Sequence, residues 1–395
     1  MRKSIILILC ALGLVGFMAG CSEPQNNPTA PGQPGPTPTV TSVPVDFPDP
    51  KLLSAVLSAL GQSTGPILES SLGAVTALFA SGVTNLTGLQ YCHQLESLGM
   101  SNGQISDFSP LTGLTNLTTL FLNTDQITSL TGFPSLPGLT YLDLSYNQIS
   151  DLSPLAVLTP LTVLDLSYNQ VSDISVLSGL TQLTHLHLAN NSITNLAPLS
   201  ALVDLDELNL EINSISDLSH LSGLTELQYL YLDYNQISDV TALSTLTQLL
   251  ELDLSLQGPG LVNLTGLAGL VHLTNLDLDT NQIASLSDLA GMTGVEILYA
   301  YSNQVADITP LAGITHLTDL DLNTNQISDI SILTNMTLLT KLNLYGNQIT
   351  DVQALVNNTG LGSQTFVDLL TNPLGAAALN TQIPALQIRN VLVVH

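Results

Sequence analysis

Two histidines at alternate positions, His185 and His187, match part of a zinc site. If they lie on a strand, both imidazoles project from one face, and Asp165 and Glu207 are expected on the flanking strands. Imidazole nitrogens and carboxylates are ligands that Zn²⁺ takes in proteins. Two solvent-facing histidines account for the same spacing without any metal. We therefore predict no metal and no cofactor, and keep His185 and His187 only as candidates.

The segment Gly99-Met100-Ser101-Asn102-Gly103 matches the GxSxG pattern of serine hydrolases. In those enzymes the serine lies on a tight turn between a strand and a helix. Here the segment aligns with strand segments elsewhere in the chain, and no base and orienting acid can be assigned to Ser101. We predict that the protein is not an enzyme; a purified activity that is lost on Ser101→Ala would contradict this.

An acidic stretch matches the start of a calcium-binding loop. Asp277, Asp279, Asn281 and Asp288 supply oxygen ligands, but Gln282 stands where the loop needs glycine. Asp277 and Asp279 also fall on a segment that is expected to be extended. The pattern therefore favours no calcium loop here.

The charge balance is strongly acidic. The 395 residues include five Lys and Arg against 31 Asp and Glu, a formal net charge of −26. Binding to nucleic acid or to anionic lipid needs clustered basic residues, so we predict neither. With 45% hydrophobic residues, the chain is too apolar for a disordered acidic chain, and a large core is expected.

The first 21 residues have the features of an export signal. Arg2 and Lys3 precede an apolar run over residues 5–18, which is too short to span a bilayer comfortably, and small residues precede Cys21. This segment resembles the lipobox of bacterial lipoproteins, which implies removal of residues 1–20, lipidation of Cys21 and a place in the cell envelope, at the outer membrane or cell surface. An ordinary secretory signal with a chance cysteine is the alternative.

One pattern, LxxLxLxxNxI, recurs from about residue 75 onward, and its first leucine is called repeat position 1 below. The spacing is 22 residues almost throughout, with one unit of 20, one of 24 and one of 25. Leucines at alternate positions, such as Leu142 and Leu144, are expected to point inward from a short strand, and units must stack because one unit cannot bury its apolar face. The fourteen units begin at Val75, Leu95, Leu117, Leu139, Leu161, Leu183, Leu205, Leu227, Leu249, Leu273, Val295, Leu317, Leu339 and Gln364.

A recurring asparagine stands at repeat position 9, after the strand, in ten of the fourteen units. Its amide is expected to hydrogen-bond the backbone groups of the turn in every coil. The unit that begins at Leu249 lacks this asparagine and has two extra residues near Pro259, which indicates a bulge or a small binding loop. Segments such as Ser150–Leu155 offer Asp as a cap and Pro as a first helical residue, which predicts short helical turns. The asparagines are Asn147, Asn169, Asn191, Asn213, Asn235, Asn281, Asn303, Asn325, Asn347 and Asn372.

These units resemble the 22-residue leucine-rich repeats of bacterial internalins and related surface proteins, over about residues 50–395. The resemblance implies an α/β solenoid: a leucine-rich repeat horseshoe with a parallel concave sheet, short helical or irregular convex turns and a cap at each end. It also implies a binding protein, since this class includes adhesins, receptors and regulatory subunits that differ in the residues of the concave face.

The chain is expected to divide into five segments. A helix that starts at Asp49-Pro50 is expected to cover one open end of the solenoid. Residues 374–390, expected to be helical with an interruption at Pro384, and the apolar tail 391–394 are expected to cover the other. The segments are a lipoprotein signal peptide (1–20), a proline-rich tether (21–49), an N-terminal helical cap (50–74), the leucine-rich repeats (75–372) and a C-terminal cap (373–395).

With the leucines inward, repeat positions 3, 5 and 7 are expected to project from the concave sheet; we call these side chains the concave face. Tyrosines and acids are concentrated there. Tyrosine buries a large area with few rotatable bonds, and an acidic field selects cationic partners, so the face is predicted to bind a partner. A solvated polar face is the alternative. The predicted ligand-binding residues are Tyr229, Tyr231, Asp233, Glu251, Asp253, Asp277, Asp279, Tyr299, Tyr301, Asp319 and Asp321.

We predict a non-enzymatic binding protein, attached to the bacterial membrane only through Cys21, that recognises a macromolecule, in the first place a protein. A glycan-binding or cation-dependent adhesion module is the alternative, with tyrosines stacking on sugar rings. Life in salty surroundings would explain the acidity without any ligand.

Overall fold

The computed structural model describes residues 43–395. The predicted signal peptide, the lipidation site Cys21 and most of the predicted tether lie outside the described residues. Within residues 43–395, none of the helices combines the length and the apolar character that crossing a bilayer requires.

A small N-terminal unit precedes the repeats. Strand β1 (Pro44–Val45) pairs antiparallel with β2 (Ile67–Leu68), and helix α1 (Pro50–Ala59) lies between them in the sequence. A short helix, α2 (Glu69–Leu72), then leads to the first coil. Pro50 occupies the first turn of α1, where its missing N–H costs nothing.

Asp49 joins this unit to the solenoid. Its Oδ1 accepts hydrogen bonds from the N–H groups of Lys51 (2.9 Å) and Leu52 (3.2 Å), which caps α1. Its Oδ2 accepts from the N–H of Thr84 in the first coil at 2.8 Å. One buried carboxylate therefore fixes both the start of the helix and its place on the repeats.

Fifteen strands form one parallel sheet in which the order in space follows the order in sequence. Equivalent residues pair in register, so that Leu230 lies between Leu208 and Leu252. This confirms the solenoid predicted from the repeats. The strands are β3 (Ala77–Ser81), β4 (Ser97–Ser101), β5 (Thr119–Phe121), β6 (Tyr141–Asp143), β7 (Val163–Asp165), β8 (His185–His187), β9 (Glu207–Asn209), β10 (Tyr229–Tyr231), β11 (Glu251–Asp253), β12 (Asn275–Asp277), β13 (Ile297–Tyr299), β14 (Asp319–Asp321), β15 (Lys341–Asn343), β16 (Phe366–Asp368) and β17 (Leu392–Val394).

The last strand differs from the expectation for the apolar tail. Leu392–Val394 pair with Phe366–Asp368 and continue the sheet as β17, so the tail adds a strand instead of lying across the end of the core. Val393 is buried, whereas Leu392 is exposed. A π-helical turn, Ala378–Gln382, and helix α4 (Ile383–Ile388) precede this strand.

The recurring asparagines form a ladder of buried or half-buried amides, as predicted. Asn235 donates through Nδ2 to the carbonyls of Leu210 (2.9 Å) and Leu232 (3.0 Å), and its Oδ1 accepts from the N–H of Ile215 (3.0 Å). The amide thus satisfies backbone groups of its own coil and the preceding one, which would otherwise be orphaned inside the protein.

The unit that begins at Leu249 keeps the ladder through a different residue. Gln257 donates to the carbonyls of Leu232 (2.9 Å) and Ser255 (3.0 Å) and accepts from the N–H of Ile237 (3.0 Å). Glutamine therefore replaces the asparagine that the sequence pattern lacks here. The extra residues form a turn at Pro259, whose carbonyl accepts a hydrogen bond from the side chain of Gln282.

Short helices line the convex side, as predicted, and most are 3₁₀ helices. Asp151 Oδ1 accepts from the N–H of Ser153 at 2.8 Å, and the same bond lowers the pKa of Asp151. The helices are Leu89–Tyr91, Ser109–Leu111, Ser153–Val157, Ser175–Gly179, Ala197–Ala201, Ser219–Leu221, Thr241–Thr245, Ser287–Leu289, Thr309–Gly313 and Ser331–Asn335, followed by the α-helix α3 (Gln353–Asn357).

Repeat position 8 has a left-handed backbone in coil after coil. Tyr146, Tyr168 and Tyr234 have φ values of 56°, 58° and 53°, a conformation that bulky residues seldom adopt. Glycine takes this position at Gly82 and Gly346. The conformation lets the N–H at this corner reach the next coil, as where Tyr146 donates to Ser167 O at 2.9 Å.

Candidate binding face

Side chains at repeat positions 3 and 5 form two rows across the sheet, one on each side of the buried central leucines. The register places Tyr229 between Glu207 and Glu251, and Tyr231 between Asn209 and Asp253. Both tyrosines are half-buried, whereas the central leucines are fully buried. Positions 3 and 5 therefore face away from the core, as predicted. Position 7 was predicted to do the same, but it is buried in several coils, for example at Ser145, Ala189 and Ser255.

Most acids at position 5 make a structural bond that the sequence reading did not anticipate. Asp253 Oδ1 accepts from the N–H of Ser255 at 2.8 Å, and Asp277 Oδ1 from that of Asp279 at 2.9 Å. Asp and Asn commonly bond their own backbone two residues on, so the pattern D-x-S at strand ends was the available signal. One oxygen of each such acid stabilises the end of its strand. The same bond occurs at Asp143, Asp165, Asn209, Asp321, Asn343 and Asp368.

Three carboxyl groups, Glu211, Asp233 and Asp253, meet on neighbouring coils and are called the central acid group below. Burial, followed by the charges of Asp253 and Glu211, raises the pKa of Asp233 to about 8. Burial likewise raises the pKa of Glu211, while a hydrogen bond with Asp233 lowers it. Two adjacent half-buried carboxylates repel each other, and the raised pKa favours the protonated form of Asp233.

Two of the predicted contact residues are too buried for contact. Asp279 and Asp321 are only 4% and 3% exposed, because the side chains of neighbouring strands cover them. Asp279 Oδ1 accepts from the N–H of Tyr301 at 2.8 Å. Burial, then the charges of Asp277, Asp321 and Asp253, raise the pKa of Asp279 to about 9, against the lowering effect of the Tyr301 N–H. Asp279 and Asp321 therefore support the face instead of forming its surface.

A base, an acid and an aromatic ring meet on strands β13, β14 and β15. Lys341 Nζ lies 2.9 Å from Asp319 Oδ2, and the Tyr299 hydroxyl donates to the same oxygen at 2.9 Å. Nζ is also 5.4 Å from the centre of the Tyr299 ring, within the range of a cation–π contact. Asp319 and Tyr299 thus hold an ammonium group that belongs to the protein itself.

The histidine candidates face carboxylates without assembling a metal site. His187 Nε2 lies 3.8 Å from Glu207 Oε1, and His185 Nε2 lies 4.0 Å from Glu207 Oε2 and from Asp206 Oδ2. Burial lowers the pKa of His187, and Glu207 partly opposes this. Within residues 43–395, no three His, Cys, Asp or Glu side chains form a group that could hold a metal ion.

The serine of the GxSxG segment lies on a strand of the sheet, and the residues of the calcium-loop pattern are dispersed. Ser101 ends strand β4, and its hydroxyl accepts a hydrogen bond from Asn102 Nδ2 (3.2 Å). Of the calcium-loop residues, Asn281 bonds the backbone carbonyl of Leu254 (2.9 Å), and Asp288 lies on a convex helix while Asp277 ends a concave strand. The structure therefore does not bring the loop residues together.

Aromatic residues near the N-terminal end of the face were missed. Phe79 is 61% exposed, and its ring lies over Gly99 on the next strand, where a Cβ would come within 2.4 Å of it. Phe121 packs against Tyr141 with ring centres 5.0 Å apart. The sequence signal for these rings is phenylalanine at position 5 of the first and third units, which the tyrosine pattern does not include.

A second aromatic pair lies beside the strands. The rings of Tyr146 and Tyr168, both at repeat position 8, stack with centres 4.3 Å apart and an interplanar angle of 8°. Both are exposed, Tyr146 to 53%. Position 8 was not among the predicted contact positions because its left-handed backbone is not visible in the repeat pattern.

Comparison with known proteins agrees with this architecture. The family model described as leucine-rich repeats in two copies matches residues 93–135, 137–179, 181–223 and 293–335, and a single leucine-rich repeat matches residues 335–352. A leucine-rich repeat protein of Leptospira interrogans, 22% identical, covers 78% of this chain and 80% of its own with a TM-score of 0.71, a likeness of fold alone.

Two relatives are internalins of Listeria monocytogenes. Internalin H is 35% identical over 108 residues, which are 26% of this chain and 19% of that protein, so the chain spans about a fifth of the length of this curated relative. The crystal structure of an internalin (inlF) is 32% identical, covers 85% of this chain and 100% of its own, and superposes with a TM-score of 0.78. The chain therefore belongs to the internalin-like leucine-rich repeat proteins.

Proposed function

We propose that the chain is a non-enzymatic binding protein whose concave face recognises a protein partner with a basic surface. Curved leucine-rich repeat sheets offer extended binding surfaces, and membership of the internalin-like proteins supports a role in protein interaction. The partner contacts are proposed at Tyr229 and Glu251 in the row at position 3, at Tyr231 in the row at position 5, and at Asp233 two residues further on.

The observation that carries this proposal is a pair of half-buried tyrosines beside acids: Tyr229 has an acid on both neighbouring strands, and Tyr231 has Asp253 on one. Tyr229 lies between Glu207 and Glu251, and burial followed by the charge of Glu251 raises the pKa of Tyr231. Carboxylates beside low-dielectric rings attract a cation more strongly than they would in water. Lys341, held by Asp319 and Tyr299, is an example of that chemistry inside the protein.

The test is affinity capture with the purified chain. We expect the wild type to retain basic proteins that rising NaCl releases, and the double variant Tyr229→Ala, Tyr231→Ala to lose at least 10-fold in affinity, since aromatic anchors at a protein interface contribute on the order of 2 kcal/mol each. Tyr91→Ala, on a convex helix, is the matched control. Full capture by the double variant, with native circular dichroism, would remove this face from the proposal.

The place of action is proposed to be the bacterial cell envelope. Lipidation of Cys21 would hold the protein at the outer membrane or cell surface, and the proline-rich residues 21–49 would separate the repeats from the lipid. Mass spectrometry of the mature N-terminus tests this: an acylated Cys21 supports the anchor, and a free N-terminus elsewhere contradicts it.

Glycan binding is the second candidate, and the exposed aromatic rings favour it. Phe79, Tyr146 and Tyr168 present ring surface that could stack on a sugar ring. A glycan array with and without calcium separates the candidates: retention of a glycan that Tyr146→Ala abolishes, while Tyr229→Ala does not, would favour the sugar.

A further inference from the structure

The first rung of the amide ladder is a carboxyl group. Throughout the ladder, a side-chain NH₂ donates to two or three backbone carbonyls, as Asn147 does to those of Leu122 (2.8 Å), Leu144 (2.9 Å) and Ser145 (3.2 Å). Asp125 occupies the equivalent position one coil earlier. It therefore has an oxygen where every other rung described has a nitrogen donor.

The two oxygens of Asp125 have different surroundings. Asp125 is fully buried, and Oδ1 accepts from the N–H of Gly103 at 2.6 Å. Among the described residues, no donor lies within hydrogen-bond distance of Oδ2, which is also buried. By analogy with the asparagines, this oxygen takes the place of an amide that donates to carbonyls. An oxygen so placed is satisfied if it bears a proton and is costly if it bears a charge.

The corner at Asp125 differs from the rest of the ladder in two more ways. Gln126, directly after Asp125, has a left-handed backbone (φ 54°) in addition to the left-handed position 8 that the coils share, here Thr124 (φ 61°). Asn147 Oδ1 accepts from both Asp125 N (3.1 Å) and Ile127 N (2.9 Å). The Oδ1 atoms of the other asparagines in the ladder each accept from one N–H, as Asn169 Oδ1 does from Ile149 N. Gly103 continues the ladder position with no side chain, since a Cβ there would lie 1.9 Å from Val83 O.

We propose that Asp125 is a proton-controlled joint between the N-terminal coils and the rest of the solenoid. When protonated, its carboxyl donates to the carbonyls of this corner in the way an asparagine amide does in the other coils. When ionised, it leaves a buried charge facing carbonyl oxygens, and the coils before it are held less firmly.

The charges around Asp125 are consistent with this role. On the packed segment of the coil that follows Asp125, the titratable side chains are Tyr141, Asp143 and Tyr146. On the two preceding coils, residues 75–85 and 97–106 contain no titratable side chain. Burial raises the pKa of Asp125 to about 6, and the Gly103 N–H opposes this. The folded state then binds one more proton than the unfolded state between about pH 4 and pH 6, so stability falls as pH rises through this range.

The test compares Asp125→Asn with the wild type in urea unfolding from about pH 4 to about pH 8. Other carboxyls are common to both proteins, so the difference isolates Asp125. We expect the ratio of the two unfolding constants to change by up to about 100-fold in favour of the variant as pH rises from about 4 to about 6, and to be constant above that range. A ratio that does not vary with pH, or that varies in the opposite sense, would overturn the proposal.

A second measurement locates the effect. Amides of residues 77–101 should exchange with solvent faster in the wild type than in Asp125→Asn at the same pH above 6, while amides of strands β10–β15 exchange equally. Equal exchange in residues 77–101 contradicts a joint.

Two controls cover the remaining cases. Asn169→Asp places the same carboxyl in the middle of the ladder and should gain a pH dependence of the same sign, which keeps the test valid if Asp125→Asn does not fold. Stabilisation by CaCl₂ beyond that of NaCl at equal ionic strength, lost in Asp125→Asn, would show a bound cation instead of a proton and would overturn the proposal.

Discussion

Lys341 lies against Asp319 across the β14–β15 pair, with Nζ 2.9 Å from Oδ2 and 3.2 Å from Oδ1. Of the three basic residues after residue 50, Lys341 is the one on a strand of the sheet; Lys51 and Arg389 serve the caps. The excess of acid on the concave face is therefore compensated from within the chain at a single point, and the central acid group has no such base.

Replacing Lys341 by Met should lower the free energy of unfolding by about 1 kcal/mol or less, because a partly exposed ion pair is screened by solvent. Urea unfolding with and without about 1 M NaCl checks this, since salt at that concentration should remove most of the difference. Asp319→Asn and the double variant complete a cycle; additive losses would mean that the two side chains do not interact.

Raised carboxyl pKa values on the concave face should make the protein less stable in alkali. The pKa values of Asp233 and Asp279 are about 8 and about 9 in the folded chain, so the folded state holds protons that the unfolded state releases near pH 4. Stability contributed by these protons is complete below about pH 4 and is lost as pH rises towards 9.

Thermal unfolding between about pH 5 and pH 9 tests this, with Asp233→Asn as the variant. The melting temperature of Asp233→Asn should increase relative to that of the wild type as pH rises. Asp239→Asn, an exposed cap whose pKa is lowered by the N–H of Thr241, is the control and should show no such gain. A gain in both variants would indicate a general effect of net charge.

Gln257 should contribute as much to the free energy of unfolding as the asparagine at the same position of the other coils. Gln257→Ala would leave the N–H of Ile237 and the carbonyls of Leu232 and Ser255 without their side-chain partner, at a cost of roughly 3 kcal/mol in the free energy of unfolding. Asn235→Ala should cost a similar amount, and Gln282→Ala, which removes a bond at the exposed turn, much less. A Gln257→Ala variant as stable as the wild type would show that glutamine is not part of the ladder.

The stability that the Asp49 carboxylate contributes should be lost in acid. Burial raises its pKa, but the N–H groups of Thr84, Leu52, Lys51 and Asn85 together lower it below the usual range. Its stabilisation is therefore present above about pH 4 and is lost as pH falls below that value. Asp49→Ala should cost about 2 kcal/mol or more at neutral pH, measured by guanidinium unfolding, with Asp151→Ala as a control of smaller effect.

The leucine spacing was sufficient to predict the solenoid, because a side chain at every second position of a strand has only one inward direction. The same reasoning explains the asparagine ladder, since the amide stands at a fixed distance after each strand. Gln257 was missed because its extra methylene reaches the same carbonyls from a unit whose length differs.

The candidate site was less accessible to sequence reasoning. Periodicity separates inward from outward positions, but it does not say which outward carboxylate is already bonded to its own backbone, as Asp253 is, or covered by neighbours, as Asp279 is. Contacts across strands, such as that of Phe79 over Gly99, depend on ring orientation and on the space that a missing side chain leaves.

The left-handed corner at repeat position 8 has a consequence for engineering. A tyrosine held there costs about 1 kcal/mol or more relative to a right-handed conformation, a cost that glycine avoids. Three coils thus give up some stability where the exposed rings of Tyr146, Tyr168 and Tyr234 project from this corner. A variant with glycine at position 8 of every coil would have a more stable solenoid without projecting rings. The tyrosines could then be restored one coil at a time to learn which of them a ligand contacts.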